Sequence, residues 1–277
     1  MVDLLIVHGC CKAEDPERNA RAKIEAENAA AASWLEGSFG DLYSAYYTCT
    51  LNQEVRRLGH QLGGQRFPLP GDCEPPPRIV EDADHAEFSA WLNGLDQGMA
   101  MLRGDEADQP PARDRGVQEG WADVHTYLHA HEQGALGPRV PFRAPVWEAV
   151  AANIPPEPYV VIAHSLGSLI AVDMAREGLL QPEALVTIGS PLGIPLVSGS
   201  IEGFSFDRPW LNLYDLRDAA TAFGKLSPFD SGFGGSPAAH ARVAGTGVGD
   251  GHDLSGYVQA SADQLRHLLD TGHLPPS

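Results

Sequence analysis

The sequence predicts an α/β protein, with a doubly wound, mostly parallel sheet of about six strands flanked by helices. Three observations predict it. Short, mainly apolar runs at 4–7, 160–162, 184–188 and 210–214 read as strands, the one at 160–162 wholly β-branched. Helical patterns at 19–35 and after Leu166 alternate with them, as parallel strands joined by crossover helices require. At 277 residues and 43% hydrophobic content the chain can bury one large core, so one domain over 1–277 is the default.

The elements follow in order. The strand at 4–7 runs into His8-Gly9-Cys10-Cys11. The alanine-rich, charge-studded stretch 19–35 is strongly helical, and glycines at 37 and 40 end it. Residues 42–47 form the next strand. Residues 51–145 break the rhythm, with Gly63-Gly64, Pro75-Pro76-Pro77 and Pro110-Pro111 around one helix at 84–102. In that helix Phe88, Trp91, Leu92, Leu95, Met99 and Leu102 recur at helical spacing. The insertion either forms a lid or cap over a pocket, or simply packs an amphipathic helix on the sheet. A short helix at 146–153 leads through Pro155-Pro156 to the strand at 160–162. Gly178 stops the helix that follows Leu166, and the strand at 184–188 ends in Gly189-Ser190-Pro191. After the strand at 210–214 come Asp215 and Asp218 in a loop. A strand at 240–244 and a C-terminal helix at 254–269 complete the pattern.

Ser165 stands on the corner between the strand at 160–162 and its helix, with small residues Ala163 and Gly167 on either side. That is the spacing of a tight strand-turn-helix that holds a serine in a strained backbone and aims its hydroxyl out of the sheet. The run Ala163-His164-Ser165-Leu166-Gly167 resembles the G-x-S-x-G elbow of α/β-hydrolases in their lipase and esterase branch, with Ala replacing the first Gly. The resemblance implies an α/β-hydrolase fold, trimmed at its N-terminal edge because the His-Gly strand already opens the chain. It also implies an oxyanion hole built from the backbone N–H groups of Cys10 and Leu166. The stretch 210–218 resembles the segment whose second aspartate orients the catalytic histidine, which gives Asp218 that role and leaves Asp215 as the alternative. His252 follows the last strand and precedes the last helix, as the family's histidine does. The order Ser165, Asp218, His252 is the order of that triad. His240 enters a strand, His267 lies on the last helix, and His164 is set aside because neighbours at an elbow point apart.

These residues imply a serine hydrolase that cleaves a carboxylic ester through an acyl-enzyme. Thioester hydrolysis, or acyl transfer to another acceptor including cyclisation of a tethered chain, shares that intermediate. A non-catalytic binding module of the same fold is the alternative from another class. The expected partner is a small acyl ester or thioester, and no cofactor is called for.

Composition bounds the rest. A formal charge of −18 argues against nucleic acid and anionic membrane surfaces as standing partners. The first residues show neither a signal peptide nor a membrane anchor, and a cytoplasmic location is the expectation. Cys10, Cys11, Cys49 and Cys73 form no zinc-type pair, so free thiols are expected, with a nucleophilic or redox role for the first two as the rival reading. His125, His129 and His131 are expected on one helix with Asp123 and Glu132, where His125 and His129 lie a turn apart on one face. Metal-ligand spacing is met there, but the glutamate placement of a metalloprotease motif is missing, and a solvated histidine face is the plainer reading.

Overall fold

The computed structural model describes residues 1–9, 20–45, 47, 90–91, 93–94, 123–125, 127–128, 131–132, 140–141, 143–194, 197, 206–215, 218, 220–221, 239–243 and 252–275. The chain divides into two compact units. The first comprises Met1–Gly9, Ile24–Tyr46 and Val150–Ser277, and the second Cys10–Lys23 and Tyr47–Ala149.

The first unit is an α/β structure. Its strands are β1 (Asp3–Val7), β2 (Leu42–Ala45), β5 (Tyr159–His164), β6 (Ala184–Ile188), β7 (Trp210–Tyr214) and β8 (Ala239–Arg242). They form one sheet in the order β2-β1-β5-β6-β7-β8, parallel at every pairing. Its helices are α1 (Ala20–Ser33, in this unit from Ile24 on), α3 (Leu166–Arg176), α4 (Leu254–Ala260) and α5 (Ala262–Thr271), while α2 (Arg143–Ala151) belongs to the second unit as far as Ala149. β5 and β6 are buried at every position, which explains why their sequences read as continuous apolar runs rather than alternating ones.

One face of the sheet carries the main core. Leu4 and Ile6 of β1, Val160 and Ile162 of β5, Val186 and Ile188 of β6, and Leu211 and Leu213 of β7 cluster there with Ala31 and Leu35 at the end of α1 and with Tyr257, Leu265 and Leu268 of α4 and α5. α3 packs on β5 and β1, and none of its buried residues joins that cluster, so it covers the opposite face. α1 and α3, the next described helices after β1 and β5, therefore lie on opposite faces. Between two such neighbouring strands the connections diverge and a crevice opens at their carboxyl ends. Residues 8–9 and Ser165 sit at those two ends.

α3 approaches β1 closely because residue 167 is glycine: a Cβ there would meet the carbonyl oxygens of Val7 and His8. The expected single helix over 254–269 is two. Ser261, at φ −115° and ψ 15°, leaves the helical region, and its hydroxyl donates to the Tyr257 carbonyl at 2.7 Å. A serine bonding back to the carbonyl four residues earlier competes with the helical ladder and bends it. α2 starts three residues before the expected position. Pro145 is accommodated in its first turn, where a missing N–H has no helical partner to lose.

In the second unit, Trp147 Nε1–H donates to the Tyr127 hydroxyl at 2.9 Å, and the Arg143 guanidinium lies 5.6 Å from the centre of the Tyr127 ring. The His125 ring meets Trp91 edge-on at 5.3 Å. The expected helix shared by Asp123, His125, His131 and Glu132 is corrected: Asp123 and His125 are helical, but His131–Glu132 is a strand, β3, paired antiparallel with β4 (Val140–Pro141). His129 lies outside the described residues, as do all four cysteines and most of 84–102. Among the described residues no group of three His, Cys, Asp or Glu is placed to hold a metal ion, and no helix is long and apolar enough to cross a membrane.

Candidate functional site

Ser165 occupies φ 54° and ψ −128°, the one positive φ at a non-glycine residue among those described. Such a conformation costs about 1 to 3 kcal/mol and persists only where the surroundings fix it. Here its N–H donates to the Ile188 carbonyl of β6 at 2.9 Å, and its carbonyl accepts from the Ser168 hydroxyl at 2.5 Å and from the Ser168 N–H at 2.9 Å. The Ser168 hydroxyl shares a further hydrogen bond, of 2.6 Å, with that of Ser190. The turn is thus tied to β6 and to the loop after it. Serine commonly caps a helix, yet this one makes no side-chain cap bond to α3. Its hydroxyl is used elsewhere.

Ser165 Oγ lies 2.9 Å from His252 Nε2. On the other side of the ring, Nδ1 lies 2.9 Å and 3.0 Å from the two carboxylate oxygens of Asp218. A carboxylate only accepts, so Nδ1 carries the proton, Nε2 is the acceptor, and the serine hydroxyl donates to it. The three residues come from the end of β5, the loop after β7 and the residue pair ahead of α4, brought to one edge by parallel strands that all end there.

Asp218 is fully buried and its carboxylate is held from several sides. Oδ1 accepts from the Ala220 N–H at 2.8 Å, and Oδ2 accepts from the Tyr257 hydroxyl at 2.7 Å. The Tyr257 oxygen in turn accepts from the Asp215 N–H at 2.9 Å. Burial, and then the neighbouring Asp218 charge, push the Tyr257 hydroxyl far above the ordinary tyrosine range, so it stays protonated and keeps donating. Asp215, the alternative acid, contributes its backbone here: its N–H serves Tyr257 and its carbonyl accepts from Thr221 Oγ1 at 2.9 Å. Gly189 closes the group from β6. Its φ is +54°, and a Cβ would stand 2.8 Å from Asp218 Oδ2 and 3.1 Å from His252 Nδ1.

The β1 end supplies another wall. A Cβ on Gly9 would lie 2.6 Å from Ser165 Cβ and 3.2 Å from its Oγ. His8 Nδ1–H donates to the Gly9 carbonyl at 3.0 Å, and its Nε2 lies 2.9 Å from Glu27 Oε2 of α1. Cys10, the expected first oxyanion donor, lies outside the described residues. Leu166, the second, begins α3, so its N–H is one of the first-turn amides without an intrahelical acceptor.

His164 makes no hydrogen bond through either ring nitrogen. It is buried, with its ring 4.7 Å from that of His252 and 5.9 Å from that of His8. Burial first, then the charges of His252 and His8, hold it well below the ordinary histidine range. Elbow geometry turns it from Ser165 but not from His252.

Sequence reasoning did not anticipate Tyr257, Ala220 or Gly189 at the site. A glycine at a strand end was a usable signal for Gly189; nothing local marks Tyr257, whose role depends on a contact 39 residues away in sequence. Fold and site together define a class: an α/β protein with a Ser-His-Asp hydrogen-bonded chain at the carboxyl edge of a parallel sheet. No family model, curated protein or solved structure matches the chain.

Proposed function

We propose that this chain is a serine hydrolase of the α/β-hydrolase type that cleaves a carboxylic ester. The observation that carries the reading is the continuous path from Ser165 Oγ through His252 to Asp218, with both links at hydrogen-bond distance. A serine hydroxyl is a poor nucleophile until a base takes its proton. His252 Nε2 removes that proton as Oγ attacks the ester carbonyl, and Asp218 holds the ring in the tautomer this requires and stabilises the imidazolium. The N–H of Leu166, at the start of α3, receives the developing oxyanion. Collapse of the tetrahedral adduct breaks the C–O bond, and His252 returns the proton to the departing alcohol. Water, deprotonated by the same imidazole, then attacks the acyl-serine and releases the acid and free Ser165.

The test is labelling with a fluorophosphonate probe, wild type against Ser165→Ala, followed by rates on acyl esters and thioesters of graded chain length. Labelling is expected to disappear in Ser165→Ala, and turnover to fall by about 10⁴-fold or more. Labelling that survives the substitution would refute Ser165 as nucleophile. Rates that favour thioesters over matched esters would move the substrate class and leave the nucleophile in place.

A further inference from the structure

We infer that Tyr257 is a positioning residue of this site: its hydroxyl, locked as a donor, holds the Asp218 carboxylate in the orientation that aligns His252 on Ser165. The inference rests on the triad reading above. A phenol has one hydrogen to give. The Asp215 N–H points into the Tyr257 oxygen at 2.9 Å, and Asp218 Oδ2, 2.7 Å away, can only accept. The single hydrogen therefore goes to Asp218. With the Ala220 N–H on Oδ1, each carboxylate oxygen has a donor other than the imidazole, one from the acid's own loop and one from α4. Rotation of the carboxylate about its Cβ–Cγ bond would break one or both of these bonds in a fully buried site.

The placement on α4 gives the contact its purpose. His252 precedes the helix by two positions, with the cap residue Asp253 between, and Tyr257 is the helix's fourth residue. One short segment thus supplies both the imidazole and the donor that aims its acid, while the same hydroxyl ties that segment to the loop after β7 through Asp215. A purely apolar role in this core would be filled by phenylalanine, with no buried hydroxyl to satisfy. Among the described residues the ionisable and polar groups facing His252 are Asp218 from the β7 loop, Ser165 from the elbow and His164 from β5. Those facing Tyr257 are Asp218 and Asp215.

Tyr257→Phe tests this in the intact chain, with rates expressed per active site titrated by the fluorophosphonate probe. The expected result is a kcat lower by about tenfold with KM unchanged. The acid limb of kcat/KM moves to higher pH, because a carboxylate stripped of one donor keeps more charge against the imidazolium. The His252 Nδ1–H proton resonance shifts as well. Wild-type kcat and an unmoved limb per titrated site would overturn the inference, and so would a loss of titratable sites with an unmoved limb, which is what a merely structural tyrosine gives. Should Tyr257→Phe not fold, 3-fluorotyrosine placed at position 257 strengthens the donor and is expected to move the limb to lower pH; no movement overturns the inference. Wild-type protein that takes no probe at Ser165 defeats the hydrolase reading and this one together, whereas labelled wild type beside an unchanged variant defeats this one alone.

Discussion

Asp218 shows how much one buried carboxylate is asked to do: accept from an imidazole, a phenol and a peptide N–H at once. Asp218→Asn replaces one acceptor with an NH₂ group that must face either Tyr257 O–H or Ala220 N–H, donor against donor. The substitution is expected to destabilise the fold by about 1 to 3 kcal/mol through the pairing lost. Turnover should drop roughly 10³- to 10⁴-fold, because the amide no longer enforces the Nδ1–H tautomer. Chemical denaturation and active-site-titrated rates measure the two effects separately; full turnover per titrated site would exclude Asp218 as the acid. Gly189 is a second single-atom test. Gly189→Ala asks a residue with a side chain to hold φ +54° and places its methyl 2.8 Å from Asp218 Oδ2. A loss of about 1 to 3 kcal/mol in stability is expected from the backbone and the crowding, together with a measurable fall in kcat as the acid is displaced. A variant as stable and as active as wild type would show that the close approach matters little.

At the scale of elements, the site depends on how helices begin. α3 starts on a serine whose side chain does not cap it, so the Leu166 N–H at its first position has no partner from that side chain. α4 starts on Asp253, whose carboxylate accepts from the Gly256 N–H at 2.7 Å in an ordinary N-cap. Since His252 precedes that cap and Tyr257 follows it, the cap fixes the segment that carries both. Asp253→Ala is expected to cost about 1 kcal/mol and to lower the melting temperature by roughly 2 to 4 °C for a chain of this size. Thermal unfolding with and without covalent occupation of Ser165 measures it. An unchanged melting temperature would mean that tertiary contacts of Leu254 and Tyr257 alone set the start of α4.

For the molecule as a whole, stability in acid is linked to the buried His164. In the folded protein burial keeps His164 neutral, while in the unfolded chain it takes a proton near its ordinary value of 6.5. Below that pH the unfolded state binds the extra proton, so this group's contribution is complete above about pH 6.5 and is lost progressively as the pH falls. His164→Phe, an apolar ring of similar size, should reduce the proton uptake on unfolding in that window by about one and flatten the acid slope of stability. Urea melts at a series of pH values from neutral downward measure it, and an unchanged slope would show that His164 titrates alike in both states. The −18 formal charge adds a diffuse self-repulsion that salt screens.

The strands at 4–7, 160–162, 184–188 and 210–214 were legible because a strand buried on both faces is apolar at most of its positions, and the helix at 19–35 because alanine favours helix without help from its neighbours. The tight turn at Ser165 was legible too, since such a turn needs small residues two positions to either side, here Ala163 and Gly167. The break at Ser261 was not, because one hydroxyl chose between solvent and the Tyr257 carbonyl only once α4 and α5 were packed. The strand at His131 was missed because two residues paired with Val140 and Pro141 carry no period of their own. By itself, then, the sequence determined the strands of the parallel sheet and the helices that follow β1 and β5, where the turn holding Ser165 falls, and in what order Ser165, Asp218 and His252 follow. Only the tertiary structure decided that Asp218 rather than Asp215 faces His252, that Gly189 leaves room for them, and that Tyr257 completes the group. Distances between residues far apart in the chain are set by how strands register and helices pack, and no local pattern encodes them.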